Sequence, residues 1–240
     1  MEVLQDRTAI VTGAGSGIGR AIALALAAAG ARVVVCGRRL DRLESVSTAA
    51  ATAGGRCLSV QADVSLEVDV DRLVQAAVQE CGTVDILVNN AGLGGGGYIH
   101  KHSVQEWDRV LAVNLRGPFL LSRAVLPHMR AQQHGEIINI SSESAMEYYP
   151  GDGAYGVSKH ALNALSEFIQ RENQENGIRV NTICPGMVVT EMTEGATGLD
   201  HAKCLQPGEI ADLVMWLLTR QPNLKIGRPV LIQTMENPWA

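Results

Sequence analysis

The sequence predicts a doubly wound α/β fold: a seven-stranded parallel sheet with helices on both faces. Three observations carry that expectation. Short β-branched runs alternate with longer helical stretches along the whole chain. The strand runs are continuous in apolar residues rather than alternating, as parallel strands buried on both faces should be. A glycine-rich turn joins the first strand directly to an Ala/Leu-rich helix.

The elements follow in order. "TAIVT" (8–12) is the first strand, with a helix over about 18–29 after the glycines. "RVVVC" (32–36) leads to a helix near 39–53, and "CLSVQ" (57–61) to one near 66–80. "DILVN" (85–89) precedes a long helix near 104–131, and "EIINIS" (136–141) precedes another near 154–175. "RVNTIC" (179–184), a helix near 208–219 and "PVLIQ" (229–233) complete the alternation. No linker, repeat or charge run divides residues 1–240, so a single domain is expected, with 187–206 as a short segment over its working face.

Composition excludes several classes of function. Hydrophobic residues make up 46% of the 240 and glycine contributes 25, which suits a packed domain and not a disordered chain. Net charge is −5 with the basic residues scattered, so neither nucleic acid nor an anionic membrane is an expected partner. No apolar run reaches the roughly 18 residues a bilayer span needs. "MEVLQDRTAIV" lacks the basic and apolar regions of a signal peptide, and a cytoplasmic location is the default expectation. The five cysteines form no CxxC and are odd in number, which points to free thiols. His100 and His102 are the one close histidine pair and have no third ligand at useful spacing, so no metal site is expected.

The turn "TGAGSGIG" (12–19) is where phosphates belong. Gly13, Gly17 and Gly19 let the backbone turn tightly and approach a pyrophosphate, and the following helix offers its N-terminus to the negative charge. A tight structural turn is the alternative. At the end of the second strand, "CGRRL" (36–40) places Arg38 and Arg39 where an NAD-preferring protein carries an acid for the ribose hydroxyl. Two guanidiniums suit a 2′-phosphate, so NADP(H) is the expected cofactor, with NAD(H) as the alternative.

Five blocks then occur together: "TGAGSGIG", "NNAG" (89–92), Asn114 in "VNL", Ser142 in "INISS" and "YGVSK" (155–159). With "PG" (185–186) followed by Thr190, they resemble the short-chain dehydrogenase/reductase family, in its branch of about 250 residues, over about residues 5 to 220. The resemblance implies a Rossmann fold and a dinucleotide-binding domain. By position it implies a cofactor turn of Thr12, Gly13, Gly15, Ser16, Gly17, Ile18 and Gly19. Asp63 and Val64 would meet the adenine, and Asn90, Ala91 and Gly92 the adenosine side. Pro185, Gly186, Val188 and Thr190 would flank the nicotinamide. Asn114 would interrupt its helix and hold a water in a proton relay, and Ser142 would hydrogen-bond the substrate carbonyl.

Four residues on a helix advance about 6 Å and turn roughly 400°, so Tyr155 and Lys159 emerge on one face. An ordinary surface pair is the bland reading of an isolated YxxxK. Within the five blocks, Tyr155 is the expected general acid for reduction and base for oxidation. Lys159 and an oxidised nicotinamide would lower its pKa from near 10 towards 7, about 3 units or roughly 4 kcal/mol. The expected activity is a carbonyl reductase or alcohol dehydrogenase acting on CH–OH or C=O groups of a small ketone, aldehyde, diketone or secondary alcohol. An NAD-dependent enzyme with the same site and a non-catalytic NADPH-binding sensor are the alternatives.

Some stretches depart from the family pattern. Gly94 to Gly97 form a glycine run read as a flexible loop at the substrate mouth, with a phosphate cradle as the alternative. Tyr98, Tyr148 and Tyr149 could line the substrate cleft or cover core edges, and His160 faces elsewhere on its helix. The segment after Thr190 is short, which suggests a small or open-ended substrate. The ending "GRPVLIQTMENPWA" (227–240) lacks the family's "VDGG"-like turn, and Trp239 could pack on a neighbouring subunit or on this one. The resemblance implies a homodimer or homotetramer through the two long helices.

Overall fold

The structure is a computed structural model that describes residues 3–221 and 223–239. Its sheet has seven strands, all parallel, in the order β3-β2-β1-β4-β5-β6-β7. The strands are β1 (Thr8–Thr12), β2 (Arg32–Gly37), β3 (Arg56–Gln61), β4 (Ile86–Asn89), β5 (Gly135–Ile140), β6 (Ile178–Pro185) and β7 (Val230–Ile232). All seven expected strands are present, with ends shifted by a residue or so.

The apolar runs split by side-chain parity, because successive strand residues face opposite sides of a sheet. Ala9, Val11, Val33, Val35, Ile86 and Val88 pack on one face against α1 (Gly17–Ala28), α2 (Leu40–Thr52) and α7 (Pro207–Leu218). Ile10, Val34, Leu87 and Ile137 pack on the other against α3 (Glu67–Cys81), α5 (Gly117–Ala131) and α6 (Gly153–Asn173). Burial on both faces is why these strands read as continuous apolar runs.

The long helix expected over 104–131 is divided. It runs as α4 (Val104–Leu111), a π-turn (Ala112–Arg116) and then α5. Pro118 has no N–H, so the usual bond from the residue four places after Asn114 cannot form. The Gly117 N–H instead reaches the Ala112 carbonyl, five residues back. The helix expected over 154–175 ends at Asn173, and a short 3-10 turn (Gln174–Asn176) follows it.

The strand order reverses between β1 and β4, and parallel sheets open a crevice at the carboxyl ends of the strands flanking such a reversal. The last strand is a short, partly exposed edge. Beyond it the tail turns back: Gln233 Nε2 donates to Glu143 Oε2 at 2.6 Å, Thr234 Oγ1 to the Lys203 carbonyl, and Asp200 N–H to the Pro238 carbonyl. All five cysteines are free, and burial raises the pKa of each, that of Cys36 to about 12.

Candidate active site

A cleft of about 900 Å³ opens at the β1/β4 reversal, and most of the expected site residues line it. At one end lies the turn after β1. Gly13 sits at φ +63, and a Cβ there would come within 2.8 Å of the Ala91 Cα, so a side chain is doubly disfavoured. Gly15, Ser16, Gly17 and Ile18 face the cleft. The Ser16 side chain makes no capping bond to α1, and no acid occupies its first turn. The first N–H groups of α1 are therefore offered to an anion.

Thr12 and Gly19 do not line the cleft; they hold its floor in place. Thr12 Oγ1 accepts from the N–H of Asn90 and of Ala91, both at 3.0 Å, and donates to the Val88 carbonyl at 3.2 Å. The Asn90 amide returns hydrogen bonds to the Thr12 and Gly13 carbonyls. Gly19 is close under the same amide, where any side chain would collide with Asn90 and the Gly13 carbonyl. "TG" and "NNAG" are thus two halves of one hydrogen-bonded corner, which brings Asn90, Ala91 and Gly92 to the cleft.

Along the adenosine side, Arg38 and Arg39 line the cleft with Asp63 and Val64. Asp63 Oδ1 is engaged by the N–H and hydroxyl of Ser65. Arg39 is engaged as well: its Nη2 donates to Glu191 Oε2 at 2.8 Å. Sequence reasoning did not find that contact, since 152 residues separate the partners.

At the other end, β5 delivers Ser142 and α6 delivers Tyr155 and Lys159. Ser142 is 8% exposed and its Oγ accepts from the Ser144 N–H at 3.1 Å. Lys159 is 4% exposed, with Nζ donating to the Ile140 carbonyl at 2.9 Å and lying 5.6 Å from the centre of the Tyr155 ring. Burial pulls the Lys159 pKa down to about 8. Burial pushes the Tyr155 phenol up to about 12, with Asp152, Glu143 and Cys184 adding to the rise and the Ser142 hydrogen bond opposing it. The expected depression of the tyrosine by the lysine is therefore absent from the chain alone. Desolvation outweighs it, and the ammonium is turned towards a backbone carbonyl.

Asn114 does interrupt its helix, but it lies beneath the cleft instead of in its wall. Its Nδ2 donates to the Leu93 carbonyl at 2.9 Å and to Ser158 Oγ at 3.0 Å, while its Oδ1 accepts from the Leu93 N–H at 2.8 Å. Both amide hydrogens are used, so the side chain keeps no N–H for a water.

A family profile described as short chain dehydrogenase matches residues 7–198, four-fifths of these 240 positions. The chain belongs to the short-chain dehydrogenase/reductase family. This dehydrogenase/reductase is 37% identical over 234 residues to an uncharacterized oxidoreductase of Staphylococcus aureus (strain MRSA252), covering 96% of this chain and all of the relative. Among solved structures, it resembles an alcohol dehydrogenase from the archaeon Thermococcus sibiricus complexed with 5-hydroxy-NADP. The TM-score is 0.89 at 29% identity, over 97% of this chain and 98% of that one. A metagenomic short-chain oxidoreductase in complex with NADP is similar too, with a TM-score of 0.85 at 35% identity, over 98% and 100% of the two chains.

Other expected wall residues are placed as follows. Pro185, Gly186, Val188 and Thr190 line the cleft of this oxidoreductase, joined by Met187 and Met192, which the sequence gave no reason to single out. Tyr98, Tyr148 and Tyr149 do not line it; they are 59%, 85% and 47% exposed. Tyr148 stacks on His160, with ring centres 5.0 Å apart. Of the glycine run, Gly94 lines the cleft and Gly97 is pinned to the Gly151 carbonyl. Among the described residues no cluster of metal-ligating side chains occurs, and no helix is long and apolar enough to cross a membrane.

Proposed function

We propose that this dehydrogenase/reductase transfers hydride between NADP(H) and a small ketone, aldehyde, diketone or secondary alcohol. The observation that carries the reading is the convergence of Ser142, Tyr155 and Lys159 on the cleft that also holds the glycine turn and the two arginines. The residues present fit a phosphorylated dinucleotide. The side-chain-free corner at Gly13 and the uncapped start of α1 suit a pyrophosphate, and Arg38 and Arg39 at the end of β2 suit a 2′-phosphate. The NADP bound in the metagenomic relative and the alcohol dehydrogenase activity named for the archaeal one support the same assignment.

When bound, the nicotinamide supplies the hydride for reduction or accepts it in oxidation. The chain does the proton chemistry. As negative charge builds on the carbonyl oxygen, the Tyr155 hydroxyl donates its proton to that oxygen, and Ser142 holds the oxygen by a second hydrogen bond. A phenol that burial keeps protonated is suited to this donation. In the reverse direction Tyr155 takes the alcohol proton, and Lys159 supplies a positive charge on the same helix face. Asn114, by fixing Leu93 and Ser158, positions the wall between Gly92 and α6.

We further assign residues 1–240 to one dinucleotide-binding domain with 187–206 over the substrate end, and the working form to a homodimer or homotetramer. The decisive experiment is oxidation of NADPH and NADH against a panel of carbonyl compounds, with Tyr155→Phe beside the wild type. We expect NADPH-driven turnover that falls at least about a hundredfold in the variant while cofactor binding is retained. Tyr155→Phe turning over at the wild-type rate would remove the assignment.

A further inference from the structure

Glu191 begins the segment over the cleft and lies between two guanidiniums. Its Oε2 accepts from Arg39 Nη2 at 2.8 Å, and its Oε1 is 3.9 Å from Arg42 Nη2. The phosphate turn is part of the same cluster, since Arg39 Nη2 also reaches Ser16 Oγ at 3.5 Å. The Arg39 hydrogen bond, then the charges of Arg39 and Arg42, hold the Glu191 carboxyl below the usual carboxylate range. The preceding residue rests on the same turn: a Cβ on Gly17 would lie 3.0 Å from Thr190 Cγ2. Two consecutive residues of the segment therefore sit on the place where β1, β2 and α1 would receive the phosphates of a dinucleotide.

We propose that Glu191 is a specificity-determining residue, an internal competitor for Arg39 that lessens the preference for a 2′-phosphorylated dinucleotide. The inference rests on the NADP(H) reading above. A 2′-phosphate and the Glu191 carboxylate are both anions suited to the same guanidinium fork. The phosphate must take the place of the carboxylate or lie beside it and feel its repulsion. An unphosphorylated ribose makes no such demand on Arg39, so Glu191 weakens one cofactor and leaves the other nearly untouched. The ion pair is about half exposed, 52% for the arginine side chain and 43% for the glutamate, so it yields readily to a stronger anion. Among the described residues Arg38 has no side-chain partner, and it remains available to that phosphate.

Calorimetric titration of the full chain with adenosine 2′,5′-bisphosphate and with 5′-AMP tests this without any turnover. Glu191→Gln is expected to tighten the bisphosphate by roughly three- to tenfold and to leave AMP within about twofold. The gain should shrink as salt is raised through about 0.1 M and vanish in an Arg39→Gln background. Equal tightening of both ligands, or of neither, would overturn the inference while leaving the cofactor reading intact. Binding of neither ligand to wild type or variant would take the cofactor reading down first, and the inference with it.

Discussion

Tyr155 and Lys159 share one face of α6, and both are held in surroundings that favour their uncharged forms. For Lys159 this has a stability consequence with a definite sign. Folded, it releases its proton near pH 8, and unfolded near 10.5. Between those values the unfolded chain binds more protons, so stability rises with pH across that window. Below it both states are charged and the burial penalty is present in full. Lys159→Met should therefore unfold at a higher temperature than wild type at pH 7, by an amount equivalent to about 1–3 kcal/mol, while losing activity. The advantage should fade by about pH 10.5, which thermal melts at the two pH values would show. Tyr155 works the other way: its stabilising term is present below pH 10 and lost as pH rises towards 12. Much of the residue-level site was legible because its members come in fixed local spacings, as in "YGVSK" and "TGAGSGIG". Glu191 was not, because its meaning depends on an arginine brought to it only by the fold.

Among the elements, the π-turn has the most to do with placing the site. The sequence showed a long helix over 104–131 because its apolar spacing continues across the join. The break was nonetheless written there, in a proline four residues after a buried asparagine. By re-registering the chain, the turn lets Asn114 reach across to Leu93 and Ser158, so the loop after β4 and the catalytic helix are held by a single side chain. Asn114→Ala would leave the Leu93 N–H and carbonyl without their partner and should cost about 1–3 kcal/mol in denaturant unfolding. Asn114→Asp should recover only part of this, since it restores the acceptor and not the two donors. The strands were legible for a plain reason: burial on both faces leaves a run of β-branched residues with few polar interruptions. Their pairing order was not, because periodicity records which residues are buried and not which strand lies alongside.

At the scale of the molecule, the tail beyond β7 is the feature the sequence marked as unusual without saying where it goes. It closes over Glu143 and the segment near 200–203, so the substrate end of the cleft is bounded by parts of the chain that are distant in sequence. The outer faces of the long helices are apolar in places: Phe119 on α5 and Val157 and Phe168 on α6 are 45%, 47% and 66% exposed. Pairing of these faces between copies is the association we assign. Phe168→Glu should then shift the chain to monomer in light scattering, without loss of secondary structure; an unchanged mass would rule the face out. The raised pKa of all five thiols has a practical counterpart. At neutral pH the native sulfurs are held as poorly nucleophilic thiols. A cysteine introduced at fully exposed Met235, on the tail, would stand out as the reactive one. A dye or spin label placed there, with every native cysteine left in place, would report directly on the closing of the substrate end.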